Sequence, residues 1–202
     1  MKTKRFNTRR MVLLAVLSGI LLIMSVTPLG YLNIGPLAIS LNMIPVAIGA
    51  VALGPGGGAF LGAMFGVTSC LQCVGIGGVS AMGMILFEIN PVLTIIQRFA
   101  TRLLAGFLTG VVYQQLRKLR FAYAVYVAGF CAALFNTVFF MAALVLLFGQ
   151  TEYLQDLIAG RNILLFVISF VGINAVVEML AATVSVGAVC KALEKVKMIG
   201  GK

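Results

Sequence analysis

The sequence predicts an all-α membrane protein with six transmembrane helices and both termini in the cytoplasm. Two observations lead to this fold class: 61% of the 202 residues are hydrophobic and only 10% are charged. Soluble domains are about 45–50% apolar and about 25% charged, so a globule of this length could not hide so much apolar surface from water. Six helices of about 20 residues with short loops use up the chain, which predicts one domain over residues 1–202.

Gly and Pro residues divide the apolar sequence into runs that predict the six helices. The second run is short for a span, and the stretch Gly54-Pro55-Gly56-Gly57-Gly58 after it predicts a tight turn. That turn is not a phosphate-binding loop, because no G-K-[ST] sequence follows it. The fourth run begins at Pro91, a favourable residue in the first turn of a helix. The predicted helices are 11–27, 40–53, 59–69, 91–116, 121–148 and 163–192.

The segments between the runs are expected to be loops and tails. The first loop, residues 28–36, carries no charge. Residues 70–90 are apolar but Gly-rich, so we predict a long loop or a partly re-entrant segment, which is tolerated at membrane depth where protein or water covers the backbone. Residues 150–162 form a polar connection. Residues 1–10 and 193–202 are predicted to be cytoplasmic tails.

The positions of the basic residues predict the orientation in the membrane. With the N-terminus inside, the inner segments carry twelve Lys and Arg residues, whereas Arg161 is the single one in the outer segments. Cytoplasmic loops are enriched in Lys and Arg, so this asymmetry predicts that both termini lie in the cytoplasm. The same rule accounts for the net charge of +10, and no nucleic-acid partner is predicted.

The composition also argues against an enzyme. His is absent, which removes the commonest general base and metal ligand, so no catalytic residue, metal or cofactor is predicted. Cys131 and Cys190 lie in apolar runs and are expected to be packing residues. Cys70 and Cys73 form a lone C-x-x-C, a poor zinc site without a second pair. They are open to two interpretations: a disulfide on the outer side, or two small residues that line a loop.

Polar residues inside the apolar runs are the candidate site, because such residues are costly in lipid. A rise of about 1.5 Å per residue puts Arg102, Asn136 and Asn174 at similar depths, near the middle of the membrane. Asn174 and Glu178 share one helix face through their i, i+4 spacing. The polar residues within the last three predicted helices are Gln97, Arg98, Arg102, Asn136, Thr137, Asn174 and Glu178.

These residues allow a structural and a functional interpretation. In the structural one, Arg102 and Glu178 neutralise each other as an ion pair inside the bundle; in the functional one, Arg98 or Arg102 holds a ligand carboxylate. Asn136 and Asn174 are suited either to hydrogen bonds between helices or to ligand contact.

Several segments in order resemble the substrate-binding S components of energy-coupling factor (ECF) vitamin transporters, in their pantothenate-type branch. Thr27-Pro28-Leu29-Gly30-Tyr31, followed by Asn42-Met43-Ile44-Pro45-Val46, is similar to the first loop and second helix of that family. The stretch from Arg102 through Gly106 to Gly110 is similar to its R-x-L-x-G-x-x-x-G signature. Asn136-Thr137 and Asn174-x-x-x-Glu178 resemble its fifth and sixth helices. The ordered set covers nearly the whole chain.

The resemblance implies a multi-pass protein of a prokaryotic cell (plasma) membrane that binds a micronutrient from outside, with pantothenate as the leading substrate. It implies as partners a membrane T component and two ATPase subunits, which would hydrolyse the ATP. Ala15 and Gly19 match the family's A-x-x-x-A face for the T component, with Gly in place of the second Ala. By position, the resemblance nominates Asn42, Gln72, Arg98, Arg102, Asn136 and Asn174 as substrate-binding residues.

Two other functions fit a membrane protein of this composition. A stand-alone secondary carrier of a small organic solute usually has internal repeats or ion-coupling carboxylates, and Glu178 is the single acidic residue deep in a predicted helix. A membrane assembly factor without a ligand would use the buried polar residues for packing alone.

Overall fold

Helices dominate the fold. The computed structural model describes residues 8–27, 30–33 and 38–196. The basic residues Lys2, Lys4, Arg5, Lys197 and Lys202, and the loop residues Pro28, Leu29, Gly35 and Pro36, lie outside them. In chain order the elements are α1 (Thr8–Val26), β1 (Tyr31–Asn33), β2 (Ala38–Ser40), α2 (Met43–Leu53), α3 (Pro55–Leu71), a 3₁₀ turn (Gln72–Val74), α4 (Ala81–Ile89), α5 (Pro91–Lys118), α6 (Ala124–Phe148), α7 (Glu152–Ile158) and α8 (Ile163–Lys195).

Five helices of the described chain are long and apolar enough to cross a bilayer: Thr8–Val26, Pro55–Val74, Pro91–Lys118, Ala124–Phe148 and Leu165–Lys195. The second predicted span is the exception. Its helix, α2, has 11 residues and is therefore about 16 Å long, against about 30 Å for the hydrocarbon core. Six spans and cytoplasmic termini thus stay predictions, whereas a multi-pass helical membrane protein is what the structure supports.

A short β-hairpin is a departure from the predicted all-α fold. Strands β1 and β2 pair antiparallel, with Tyr31 opposite Ser40 and Leu32 opposite Ile39. The amide of Leu41 donates to the carbonyl of Gly30 at 3.0 Å, which closes the base of the hairpin. Ser40 therefore belongs to a strand, and α2 begins at Met43, three residues after the start of the predicted helix 40–53.

Two segments that were predicted to be loops contain short helices. Helix α4 lies within residues 70–90, and the side chain of Ser80 caps it by accepting the Gly83 amide at 3.2 Å. Helix α7 lies within the polar segment 150–162, and Thr151 caps it. The prediction of a loop throughout residues 70–90 was therefore wrong, whereas the alternative of a partly re-entrant segment stays a prediction. Helix α7 was not predicted within the polar connection 150–162. The capping residues Ser80 and Thr151 are signals for both helices, but the surrounding Gly or polar residues favour loops.

The predicted turn at residues 54–58 is confined to one residue. Gly54 has a φ of 84°, and Pro55 already occupies the first turn of α3. The glycines that follow are helical, and the last of them, Gly58, faces α5. A Cβ atom on Gly58 would lie 2.2 Å from the carbonyl oxygen of Gly106, and one on Gly106 would lie 2.1 Å from that of Gly58. Helices α3 and α5 therefore cross at backbone contact, which no larger residue permits.

The bundle has one basic end. Leu13 near the start of α1, Tyr113 near the end of α5, Ala124 at the start of α6 and Cys190 near the end of α8 belong to one apolar cluster, so these helix ends lie together. The basic residues beside them are Arg9, Arg10, Arg117, Lys118, Lys191 and Lys195. A second apolar cluster, with Leu86, Phe148 and Phe166 among its members, packs α4 and α7 against α6 and α8.

Candidate functional site

A cavity of about 320 Å³ lies where the last residues of α1 meet the hairpin, the segment 72–80 and the middle of α5, α6 and α8. Its volume is at the small end of the range for ligand pockets, about 300–1,000 Å³. The lining residues are Ser25, Val26, Thr27, Tyr31, Ser40, Gln72, Gly77, Gly78, Val79, Ser80, Met82, Arg98, Arg102, Asn136, Thr137, Phe140, Val171, Asn174, Ala175 and Glu178. Since α1 begins at the basic end, the cavity lies toward the opposite end of the bundle.

Five of the six nominated substrate-binding residues line this cavity: Gln72, Arg98, Arg102, Asn136 and Asn174. The sixth, Asn42, has a different position. It is fully buried directly before α2, and its side-chain nitrogen donates to the carbonyl of Gly30 at 3.5 Å. Asn42 therefore stabilises the base of the hairpin. It is not among the residues that line the cavity.

The Arg98 side chain connects several elements at the wall of the cavity. Its Nη1 donates to the hydroxyl of Ser69 at 2.9 Å, and its Nη2 donates to the hydroxyl of Ser80 at 3.0 Å. Because Ser80 also caps α4, one guanidinium joins α3, α5 and the start of α4. The side chain is 4% exposed. Both terminal nitrogens thus donate within the protein, whereas its Nε is buried without a hydrogen-bond partner in the described chain.

Arg102 lies one turn further along α5 and has a different environment. Its Nη1 donates to the carbonyl of Arg98 at 3.0 Å, and its guanidinium carbon lies 4.6 Å from the ring centroid of Phe65 and 5.6 Å from that of Phe140. Such cation–π contacts hold a guanidinium in place without neutralising it. No carboxylate among the described residues hydrogen-bonds to Arg102. It is a buried cation at the cavity wall, suited to pair with an anion that enters.

Glu178 contacts the hairpin, not Arg102. Its Oε1 accepts a hydrogen bond from the backbone amide of Ser40 at 2.5 Å. The predicted ion pair between Arg102 and Glu178 is thus not a direct contact in the described chain, because each side chain binds backbone elsewhere. Both charges nevertheless line the same cavity, and opposite charges across a small buried space still attract.

Neutral polar groups complete the lining. The Oγ of Ser40 and the Oδ1 of Asn136 are buried without a hydrogen-bond partner in the described chain, a costly state that a bound solute would relieve. Burial raises the pKa of Tyr31, although nearby Arg102 opposes that shift. The Tyr31 hydroxyl therefore stays protonated at neutral pH and is able to donate a hydrogen bond.

Gln72 is the residue of the C-x-x-C segment that lines the cavity. The side-chain nitrogen of Gln72 donates to the carbonyl of Ser25 at 2.9 Å and so ties the 3₁₀ turn to the end of α1. Cys70 and Cys73 are free thiols, as are the other two cysteines. The Cys73 thiol donates to the carbonyl of Ser69 at 3.3 Å. Neither residue is among those that line the cavity, and Gln97, although fully buried, is not among them either.

Several lining residues were not predicted from the sequence. Ser40 and Tyr31 sit in the hairpin, Ser80 caps a helix that was predicted to be loop, and Phe140 looks like any other apolar residue of α6. The cap position of Ser80 before an apolar run is a signal that could have been used. Nothing in the sequence around Phe140 distinguishes it from a residue that faces lipid.

Residues 9–189 match the family described as "ECF transporter, substrate-specific component". The chain is also similar to the pantothenate transporter PanT of Leuconostoc mesenteroides subsp. mesenteroides, at 28% identity over 192 residues and 91% of each chain. The family match contains every residue that lines the cavity.

Proposed function

We propose that this chain, which belongs to the family of ECF transporter substrate-specific components, captures a small vitamin-like carboxylate from outside the membrane. Pantothenate is the leading substrate. The observation that carries the proposal is Arg102, a cation at the wall of the cavity. No carboxylate of the described chain hydrogen-bonds to it. Burying such a charge is costly unless a partner compensates it.

The chemistry of pantothenate suits the rest of the lining. It is a monocarboxylate with one amide and two hydroxyl groups. Its carboxylate would pair with Arg102, and its donors would satisfy Asn136, whose Oδ1 is buried without a partner in the described chain. Asn174 and the Tyr31 hydroxyl line the same space. The similar protein from Leuconostoc, a pantothenate transporter by name, supports the same substrate.

The orientation follows from the basic end of the bundle. With that end in the cytoplasm of a prokaryotic cell, by the positive-inside rule, the cavity lies toward the outer face and α2 counts as the sixth, shortened crossing. Transport would then require a T component and two ATPase subunits as partners, with ATP hydrolysed by the ATPases and no reaction catalysed by this chain.

Thermal unfolding of the purified protein in the presence of individual B vitamins tests the substrate. A ligand at 100 times its dissociation constant stabilises by about 2.7 kcal/mol, which corresponds to a rise in Tm of roughly 5–10 °C for a chain of this size. We expect that rise with pantothenate and no rise with cationic thiamine. A response to another vitamin alone would replace pantothenate, and no response to any small carboxylate would contradict the proposal.

The small-residue face of α1 is the proposed docking surface for the T component. Ala15 is exposed, and a Cβ on Gly19 would meet no atom within 4 Å, so the isolated protein has room for larger side chains at both positions. Ala15→Leu and Gly19→Leu are therefore expected to abolish uptake by cells while vitamin binding by the purified protein stays unchanged. Val16→Leu, at an exposed neighbouring position, is the control, and loss of binding in both variants would contradict a docking role.

A further inference from the structure

The connection between α5 and α6 lies at the basic end of the bundle and is exposed along its length. Residues 117–123 are all exposed, and Leu119 has 77% of its surface open. Lys118 and Arg120 lie on either side of Leu119. Glu194, near the end of α8, is the single acidic residue of the described chain at this end. The connection therefore combines positive charge with apolar surface.

The backbone of this connection places a basic residue where glycine is favoured. The Phe121 amide donates to the carbonyl of Leu116 at 3.1 Å. The Arg120 amide donates to the carbonyl of Arg117 at 3.0 Å. These two bonds form a Schellman motif, in which the residue after the helix cap has a left-handed backbone and is usually Gly. Arg120 holds that position with a φ of 55°, which is unfavourable for a residue with a Cβ atom. Such a departure points to a function of the side chain outside the fold.

A row of aromatic rings leads from this connection to a second cation, on α8. The ring centroids of Phe121 and Tyr123 are 6.1 Å apart, and those of Tyr123 and Tyr126 are 6.4 Å apart. The Nζ of Lys191 lies 4.9 Å from the ring centroid of Tyr126. Tyr126 packs directly on Gly187, because a Cβ there would lie 2.1 Å from the ring. The row is therefore fixed to α8, with an exposed ammonium group at its far end.

We infer that the exposed connection and the aromatic row form one surface that binds the headgroup of an anionic phospholipid. Tyrosine rings favour the headgroup level of a bilayer, where Lys and Arg side chains attract anionic lipids. The planar guanidinium of Arg suits a phosphate group in particular, because it offers paired donors. The inference does not rest on the proposed capture function, since it requires only that this end of the bundle lie at a membrane surface. The residues of this basic aromatic surface are Lys118, Arg120, Phe121, Tyr123, Tyr126 and Lys191.

Native mass spectrometry of the full chain, released from detergent micelles with equal amounts of phosphatidylglycerol and phosphatidylcholine, tests this surface. We expect the wild type to retain phosphatidylglycerol in preference to phosphatidylcholine. Arg120→Gln should lower the ratio of the two retained lipids about fivefold, the effect of one cation near a lipid surface. Arg161→Gln is the matched control, because it removes one exposed Arg from the connection between α7 and α8 at the opposite end. It should change the ratio less than about twofold.

Arg120→Gly removes the same charge but suits the left-handed backbone better. It should lower the lipid ratio as Arg120→Gln does, while its Tm in detergent without added lipid should equal or exceed that of the wild type. Equal ratios in Arg120→Gln and Arg161→Gln would overturn the inference, because net charge alone would then attract the lipid. A wild-type ratio in Arg120→Gly would overturn it too. So would equal retention of both lipids by the wild type, which would leave this surface to a protein partner.

Discussion

Replacing Arg102 by Met is expected to abolish ligand binding while the protein still folds. The guanidinium is 6% exposed, and no carboxylate of the described chain hydrogen-bonds to it. Loss of one partner of a buried charge pair costs about 2–5 kcal/mol, so the affinity for pantothenate should fall by about 30-fold or more. Met has a similar length and no charge, so the same change removes a costly buried cation from the empty protein.

The measurement is a binding isotherm together with a Tm for each variant. Arg98→Met is the matched control one turn away: it removes the bonds to Ser69 and Ser80, so it should lower the Tm more than Arg102→Met does. Arg102→Lys should keep part of the affinity, because the charge stays and the planar donor geometry is lost. A folded Arg102→Met protein with wild-type affinity would show that the carboxylate binds elsewhere.

Gly106→Ala is expected to have the largest effect on stability. The new Cβ would lie 2.1 Å from the carbonyl oxygen of Gly58, and this obstacle is backbone that cannot rotate away. Helices α3 and α5 would have to separate, with Arg102 displaced along with them. We expect a cost of about 3 kcal/mol, at the upper end for overpacking, and hence a Tm lower by roughly 6–12 °C.

Gly56→Ala provides the control for helix composition. Gly56 lies in α3, two residues before Gly58, but a Cβ there would meet no atom within 4 Å. Ala is the better helix former by about 1 kcal/mol, so this variant should be as stable as the wild type or slightly more stable. Gly58→Ala meets the same crossing from the other side and should resemble Gly106→Ala. Equal Tm values for Gly56→Ala and Gly106→Ala would mean that the two helices do not touch at backbone distance.

The long helices and the deepest polar residues could be predicted from the sequence. Pro91 occupies the first turn of α5 as expected, and the side chain of Asn90, for which no role was predicted, caps the helix by accepting the Leu93 amide at 3.1 Å. Arg102, Asn136 and Glu178 were noticeable because a polar residue in an apolar run of this length is too costly to lie against lipid. That cost indicates burial, and burial of several such residues on neighbouring helices indicates a shared cavity.

The partners of those residues could not be predicted in the same way. The ion pair of Arg102 with Glu178 was a reasonable expectation, because opposite charges attract and the sequence offers no other acidic residue at that depth. The hairpin was not predicted, because its three-residue strands carry almost no sequence pattern. The group that binds Glu178 is the backbone amide of Ser40. Backbone N–H donors are the same at every position, so a contact of this kind cannot be recognised from the residue types.

Helix α2 is strongly apolar, although most of its residues contact the rest of the bundle and not lipid. Its sequence is almost entirely aliphatic, yet eight of its 11 residues, from Met43 to Val51, are buried by the rest of the bundle. On α8, by contrast, Leu165, Ile168, Ile173 and Leu180 are exposed where lipid would cover them. Acyl chains conform to whatever apolar shape they meet, whereas a close-packed interior registers the loss or gain of one methylene. We therefore expect exchanges among Leu, Ile, Val and Phe to cost little along the outside of α8, and exchanges in α2 to cost as much as in the core of a soluble protein.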